Sequence, residues 1–404
     1  MKLIQPFAGW RPRPGLASRV AAPPYDVLSS SEARRLAQDN PYSFLHVSKA
    51  EIDLDPALSP TDDRVYEAAR QRFEQMRREG LLVADTTPCL YVYRLTAGQR
   101  QQSGVVAAAS VTAYQTNRIR KHELTRLDKE NDRTRLAESL AAHSGPVFLI
   151  YRHNEALDSL VVRIQQSAPP DEDFLADDGV RHALWVVRDA ERIERLVALF
   201  EEQPRLYVAD GHHRSAAAAR IHARQPTADR FLAVLFPDNQ LQILDYNRVV
   251  RDLNGLSPDE FLQAVGQRFH VTAETAAVRP ERPHCFGLYV DRHWYRLELD
   301  PLCLDTADVI GRLDVSLLEQ HLLRPVLGIQ DVRRDQRIDF VGGSRGLTAL
   351  ESLVDAGKMA AAFVLFPTPL SELLSVADAD RIMPPKSTWF EPKLRDGLVI
   401  QTFA

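Results

Sequence analysis

The run Leu206-Tyr207-Val208-Ala209-Asp210-Gly211-His212-His213-Arg214-Ser215-Ala216 places a carboxylate, two imidazoles and a guanidinium within five positions. An apolar stretch precedes them and an alanine-rich one follows. A strand that empties into the start of a helix brings such groups to a place where unpaired backbone N–H groups and the positive end of the helix dipole suit a phosphate. Arg214 can add a planar, bidentate contact to phosphate oxygens. Asp210, at the carboxyl end of the strand, can hold Mg²⁺ or orient a nucleophile. Gly211, His212 and His213 complete the phosphate-facing turn, and adjacent histidines diverge, so one at most faces a substrate. An Asp-Gly turn with a helix cap is the plainer reading, but turn chemistry does not require four reactive side chains in five positions.

A second charged segment, Arg120-Lys121-His122-Glu123-Leu124-Thr125-Arg126, follows a strand-like stretch and leads into the helix that carries Asp132 and Arg133. Glu123 can act as a general base on a hydroxyl, with His122 as its competitor, and Lys121 and Arg126 can neutralise phosphate charge. A solvated mixed-charge loop fits the same residues. Met383-Pro384-Pro385-Lys386-Ser387-Thr388 supplies a cation and two hydroxyls behind a rigid proline pair, either a phosphate clamp or an ordinary turn. Near the N-terminus, Ala21-Ala22-Pro23-Pro24-Tyr25-Asp26-Val27 and Asn40-Pro41-Tyr42-Ser43-Phe44 offer Tyr25, Asp26 and Asn40 as pocket-lining groups.

The usual nucleotide cradles are missing from the sequence. It has no P-loop, no Gly-x-Gly-x-x-Gly fingerprint, no protein-kinase catalytic loop, no His-Glu-x-x-His pair and no Gly-x-Ser-x-Gly elbow. His122-Glu123 with His212-His213 matches no standard zinc spacing.

The elements that must position these groups alternate between the two periods. Residues 62–79 carry Val65, Ala69, Phe73 and Met76 at helical spacing, with Gly80 as a stop. Residues 90–95 and 104–114 read as strands around a polar turn, 130–142 as a helix, 146–151 as a buried strand and 206–209 as a short strand before helix 215–223. Residues 231–236 and 242–250 read as further strands. Ser257-Pro258-Asp259-Glu260 is a capping box with Pro at the first helical position. Beyond it come a hairpin (286–290 with 294–299), helices at 315–323 and 347–356, and a strand at 361–366. The class expected is mixed α/β, with a site-contributing segment over 1–110, a catalytic core over 111–250 and a C-terminal α/β domain over 251–404.

Bulk properties exclude several classes of function. The chain has 404 residues, 45% hydrophobic and 26% charged, which is ordinary for a globular protein of two or three cores. Its formal charge of −5, with Lys and Arg scattered, leaves no electrostatic footprint for nucleic acid. Cys89, Cys285 and Cys303 form no metal or redox pair, which suits a reducing compartment. The N-terminus lacks a signal-type apolar run and no stretch approaches the ~20 residues of a membrane span. A cytoplasmic protein is expected.

Taken together, the segments at 20–27, 40–44, 121–123, 210–214 and 383–388 resemble a widespread prokaryotic family catalogued as a domain of unknown function, number 1015, across nearly the whole chain. Members of that family look like pyrophosphate-dependent free-serine kinases, which make O-phospho-L-serine and orthophosphate. More distantly, Gly211 to Ala217 resembles the phosphate-binding box of the ParB and sulfiredoxin-like fold. The resemblance implies a ParB/sulfiredoxin-like catalytic core with added N- and C-terminal α/β elements, a phosphate seat at the box, and Glu123 as base. The ligands expected are L-serine with pyrophosphate or a nucleotide, and Mg²⁺, while a homodimer stays open. A phosphoserine phosphatase and a ParB-like nucleotide-binding regulator are the alternatives.

Overall fold

The computed structural model describes residues 2–305 and 307–403. By compactness the chain divides into two units: Met1–Lys121, Thr125–Leu241 and Pro392–Ala404 form the first, and His122–Leu124 with Gln242–Glu391 form the second. The architecture is mixed α/β, as the alternating periods predict.

The first unit is built on a nine-stranded sheet. Its strands are β1 (Ile4–Gln5), β2 (Leu90–Ala97), β3 (Arg100–Ser110), β4 (Ile119–Arg120), β5 (Val147–Tyr151), β6 (Glu172–Leu175), β7 (Arg181–Val187), β8 (Leu206–Asp210) and β9 (Arg230–Pro237). They lie in the order β4-β8-β5-β9-β3-β2-β7-β6, with β1 paired to the end of β3. Only β4 with β8 and β5 with β9 run parallel. Every residue of β5 and β9 is buried, and apart from Arg230 at the start of β9 these strands read as continuous apolar runs rather than alternating.

The helices that matter to the site are α1 (Asp63–Arg78), α2 (Leu127–Leu140), α3 (Glu155–Ser167), α4 (Ala190–Glu201) and α5 (His212–Arg224). Leu157, Leu160, Leu196 and Phe200 of α3 and α4 pack on Val92, Val105 and Leu149 of the sheet. A separate apolar cluster joins Val20, Ala22 and Phe44 near the N-terminus to Phe73 and Met76 of α1, Leu136 and Leu140 of α2, and Ile400 near the C-terminus. Gly80, with φ +67°, stops α1 where the sequence places the stop.

The second unit carries a six-stranded antiparallel sheet of β10 (Tyr246–Val250), β11 (Phe269–Glu274), β12 (Cys285–Val290), β13 (His293–Leu299), β14 (Ile338–Gly342) and β15 (Ala361–Leu365), ordered β11-β13-β12-β15-β10-β14. The β12–β13 hairpin turns on Asp291 and Arg292, both left-handed at φ +48° and +62°, as a tight two-residue turn needs. Among the described residues no helix is long and apolar enough to cross a membrane.

Three of the differences from the sequence reading have a plain local cause. The strand expected over 104–114 ends at Ser110, whose hydroxyl accepts from Ala113 N and caps a short helix, Val111–Gln115. The strand expected over 242–250 is two strands in different sheets, interrupted at the buried Asp245. Helix α5 begins at His212 rather than 215, because Gly211 itself is its N-cap.

Candidate functional site

In the first unit, β8 delivers Asp210 to the turn that starts α5. The pairing of β8 with β5 slips between Val208 and Asp210, so the last strand residue leaves the regular ladder. Gly211 then adopts φ +93°, a left-handed conformation that costs a residue with a side chain about 1–2 kcal/mol. A Cβ there would also come within 3.3 Å of Val147 Cα. No side chain caps α5 at Gly211, and the positive end of the helix dipole lies at this turn.

Asp210 sits between cations. Its Oδ1 accepts from Gly211 N at 2.7 Å and its Oδ2 from Lys393 Nζ at 2.9 Å. Burial pushes this carboxyl up, but Lys393, Arg214 and His212 outweigh that and hold it well below the usual carboxylate range. Arg214 donates from Nη1 to Pro146 O at 2.6 Å, and its Nη2 lies 3.8 Å from Asp26 Oδ1. Burial works against its charge, yet Asp396, Asp26 and Asp210 keep it firmly protonated.

Tyr25 lies beneath two guanidiniums, with Arg133 at 3.7 Å and Arg214 at 5.5 Å from its ring centroid. Burial and then Asp26 raise its phenol, which stays neutral. Arg133 is paired with Asp132 at 2.6 Å, and Asp132 also accepts from Tyr66 OH at 2.8 Å. Asp396 completes the group. It is 3% exposed and is pinned by two backbone hydrogen bonds to Ala22. Burial, with Asp26 adding to it, pushes its carboxyl up to about 6 against the pull of Arg214 and Arg133.

The C-terminal segment that brings Lys393 and Asp396 is anchored on both sides. Arg395 bonds His182 Nε2 at 3.2 Å and Asp178 at 2.5 Å, and Gln401–Thr402 pairs with Ala142–His143. Gly145 suits this packing, since a Cβ there would stand 2.4 Å from Asp396 Oδ1 and the carboxylate would have to shift.

Of the residues singled out in the sequence, Tyr25, Asp26, Asp210, Gly211, His212 and Arg214 thus gather in one cluster of the first unit. His213 diverges from buried His212, its Nε2 accepting from Arg126 N at 3.1 Å. The Arg126 guanidinium is exposed and pairs with Asp128. Lys121 lies 4.5 Å from the Tyr114 ring centroid. Asn40 uses its amide on backbone, donating to Arg19 O and accepting from Tyr42 N.

His122 and Glu123 group with the second unit, where Met383 N donates to His122 O. Lys386, Ser387 and Thr388 belong to that unit too; the Ser387 hydroxyl donates to Pro384 O, and Lys386 Nζ lies 5.4 Å from the Tyr246 ring centroid. Among the described residues, no group of three His, Cys, Asp or Glu side chains could hold a metal ion by itself.

Sequence reasoning missed Lys393, Arg133 and Asp396 as members of the cluster. Lys393 and Asp396 lie more than 180 residues beyond Asp210, and no local pattern links them to it.

A family model described as protein of unknown function, DUF1015, matches residues 4–316, more than half of the chain. The chain belongs to this family. A comparison with curated proteins finds no match. Solved structures similar to it include a free serine kinase mutant in complex with AMP, at 10% identity and a TM-score of 0.40, covering 74% of this chain and 92% of that one. A conserved hypothetical protein from Pyrococcus furiosus has 10% identity and a TM-score of 0.36, covering 74% of this chain and 95% of that one. A C-terminally truncated SbnI from Staphylococcus aureus has 11% identity and a TM-score of 0.40, covering 72% of this chain and 85% of that one.

Proposed function

We propose that this protein is a small-molecule kinase that moves a phosphoryl group from pyrophosphate, or alternatively ADP or ATP, to the hydroxyl of free L-serine. One observation supports it above the rest: a carboxylate kept ionised between Lys393 and Arg214, at the mouth of an uncapped helix opened by a left-handed glycine. Phosphoryl transfer asks a protein mainly for positioning and charge neutralisation. Lys393 supplies a point charge, Arg214 a planar fork, and the first turn of α5 its N–H groups.

In the reaction, the serine oxygen attacks phosphorus, the bond from phosphorus to the leaving phosphate oxygen breaks, and orthophosphate departs when pyrophosphate is the donor. The hydroxyl proton goes to Glu123, the role the family resemblance implies. Mg²⁺ is part of the proposal. It typically takes one or two protein carboxylates and completes its shell with phosphates and water, so Asp210, whose oxygens accept from Gly211 N and Lys393 Nζ, would share one of them with the ion. Bound there, it would supply charge neutralisation on the phosphates.

Steady-state kinetics of three folded variants test these roles. Asp210→Asn is expected to lower kcat by about 10²–10³-fold, as loss of a charge-stabilising group does. Arg214→Ala should mainly raise the donor KM, by tenfold or more. Glu123→Gln keeps size but loses basicity, so kcat should fall by ~10²–10⁴-fold with little change in KM. Wild-type kinetics in Asp210→Asn and Arg214→Ala would overturn the site. Normal turnover in Glu123→Gln with collapse in His122→Ala would move the base to the histidine.

A further inference from the structure

The other end of β5 carries a feature that the proposed reaction does not use. Asp210 pairs with Phe148 at the start of β5, whereas His153 follows its last residue, Tyr151, beside the end of the parallel strand β9. The two places are thus separated by the length of a strand, roughly 3.3 Å per residue. A concavity of about 690 Å³ opens there, lined by His153, Glu155, Ala156 and Ser159 at the start of α3, Arg163 one turn further on, and Arg195 of α4. Ala156, Ser159 and Arg163 fall on one face of α3 by their spacing.

His153 is held more firmly than an exposed side chain needs. Its side chain is 47% exposed, yet Nδ1 lies 2.8 Å from Asp158 Oδ2 and 3.0 Å from the Asn239 amide, and its backbone N donates to Asp238 at 2.9 Å. Asp158 is itself mostly buried and accepts from Tyr151 OH at 2.9 Å. With Nδ1 engaged, Nε2 is the ring atom left for a ligand. Arg163 and Arg195, in contrast to most arginines of this chain, have no hydrogen-bonding or ionic partner among the described residues, and neither does the Ser159 hydroxyl.

We propose that this concavity is a second anion site, for a small ligand bearing a compact phosphate group. Two exposed guanidiniums without a protein partner match phosphate oxygens in their fork geometry, the Ser159 hydroxyl adds a donor, and His153, its Nδ1 on Asp158, adds a second donor at Nε2 in its imidazolium form. Glu155 shares the rim, which disfavours a crowded polyanion and accommodates an ammonium on its side. Inorganic phosphate, pyrophosphate and O-phosphoserine share the required chemistry and differ in what they carry beside it.

The test is proton NMR of the histidine ring resonances in the full-length chain, with the His153 signal assigned by His153→Gln. Phosphate, pyrophosphate and O-phosphoserine are titrated separately, with chloride at matched ionic strength as control. At least one phosphate probe should move the His153 signal saturably with Kd below about 1 mM, a specific rather than a screening interaction. The Arg163→Gln/Arg195→Gln double variant, changed only on the surface, should weaken that binding tenfold or more. An unsaturable shift, an equal shift with chloride, or unchanged binding in the double variant would overturn the site. The readout is local to His153, so its failure leaves the proposed kinase reaction standing, and failure of that reaction leaves this site standing.

Discussion

Asp396 shows how a single side chain takes its properties from its surroundings. In the unfolded chain its carboxyl titrates near 3.9, while in the folded protein burial raises it to about 6. A carboxyl raised on folding contributes stability that is fully present below about pH 4 and is lost as pH rises through about 6. Asparagine at this position is neutral throughout. The stability of Asp396→Asn relative to wild type should therefore rise between pH 4 and pH 7, by up to ~3 kcal/mol, at 1.36 kcal/mol per pKa unit. Urea denaturation of both proteins across that range measures it. A difference that is flat, or that moves against the variant, would contradict the buried carboxyl described here. Residues of this kind were hard to read in the sequence for a physical reason. Asp210 and Arg214 stand out because neighbours in the chain share one turn, whereas Asp396 and Lys393 join the charged cluster only when the C-terminal segment pairs with Ala22.

At the scale of elements, the strand, turn and helix from Leu206 to Arg224 carry the candidate site, and their types were legible from apolar run, glycine and alanine-rich helix. The helix start was not. With Gly211 in the left-handed region, the histidines and Arg214 form the first turn of α5 instead of a loop before it. The strand ending at Ser110 was overrun for a related reason, since Val111, Ala113 and Tyr114 are as apolar as strand residues and only the Ser110 cap marks the change. Gly211→Ala tests the element directly. It should destabilise the protein by about 1–2 kcal/mol from the left-handed backbone alone, more if Val147 cannot yield, and raise the donor KM as Arg214 shifts. Unchanged thermal stability and kinetics would show that the turn tolerates a side chain.

At the scale of the molecule, the first unit is assembled from three separated stretches, and its last thirteen residues close it. Ile400 is fully buried, and Leu394, Leu398 and Val399 are nearly so. Each such side chain contributes about 1.5–3 kcal/mol of burial, so together they rival the 5–15 kcal/mol stability of a typical domain. A chain ending at Glu391 should lose hydrogen-exchange protection throughout the nine-stranded sheet while the six-stranded sheet of the second unit keeps its own. Retained protection in β5, β8 and β9 would show that the C-terminal segment is dispensable. Nothing in the composition announces this closure, because no glycine-, serine- or proline-rich linker marks where the chain leaves one unit or returns to it.

The proposed reaction is tested most directly by mass spectrometry of L-serine incubated with the full-length protein, Mg²⁺ and, in separate reactions, pyrophosphate, ADP and ATP. O-phosphoserine is expected to accumulate with at least one donor, pyrophosphate first, and to be lost in folded Asp210→Asn. No phosphoserine with any of the three donors, or equal amounts from wild type and Asp210→Asn, would contradict a phosphoryl-transfer site built on Asp210.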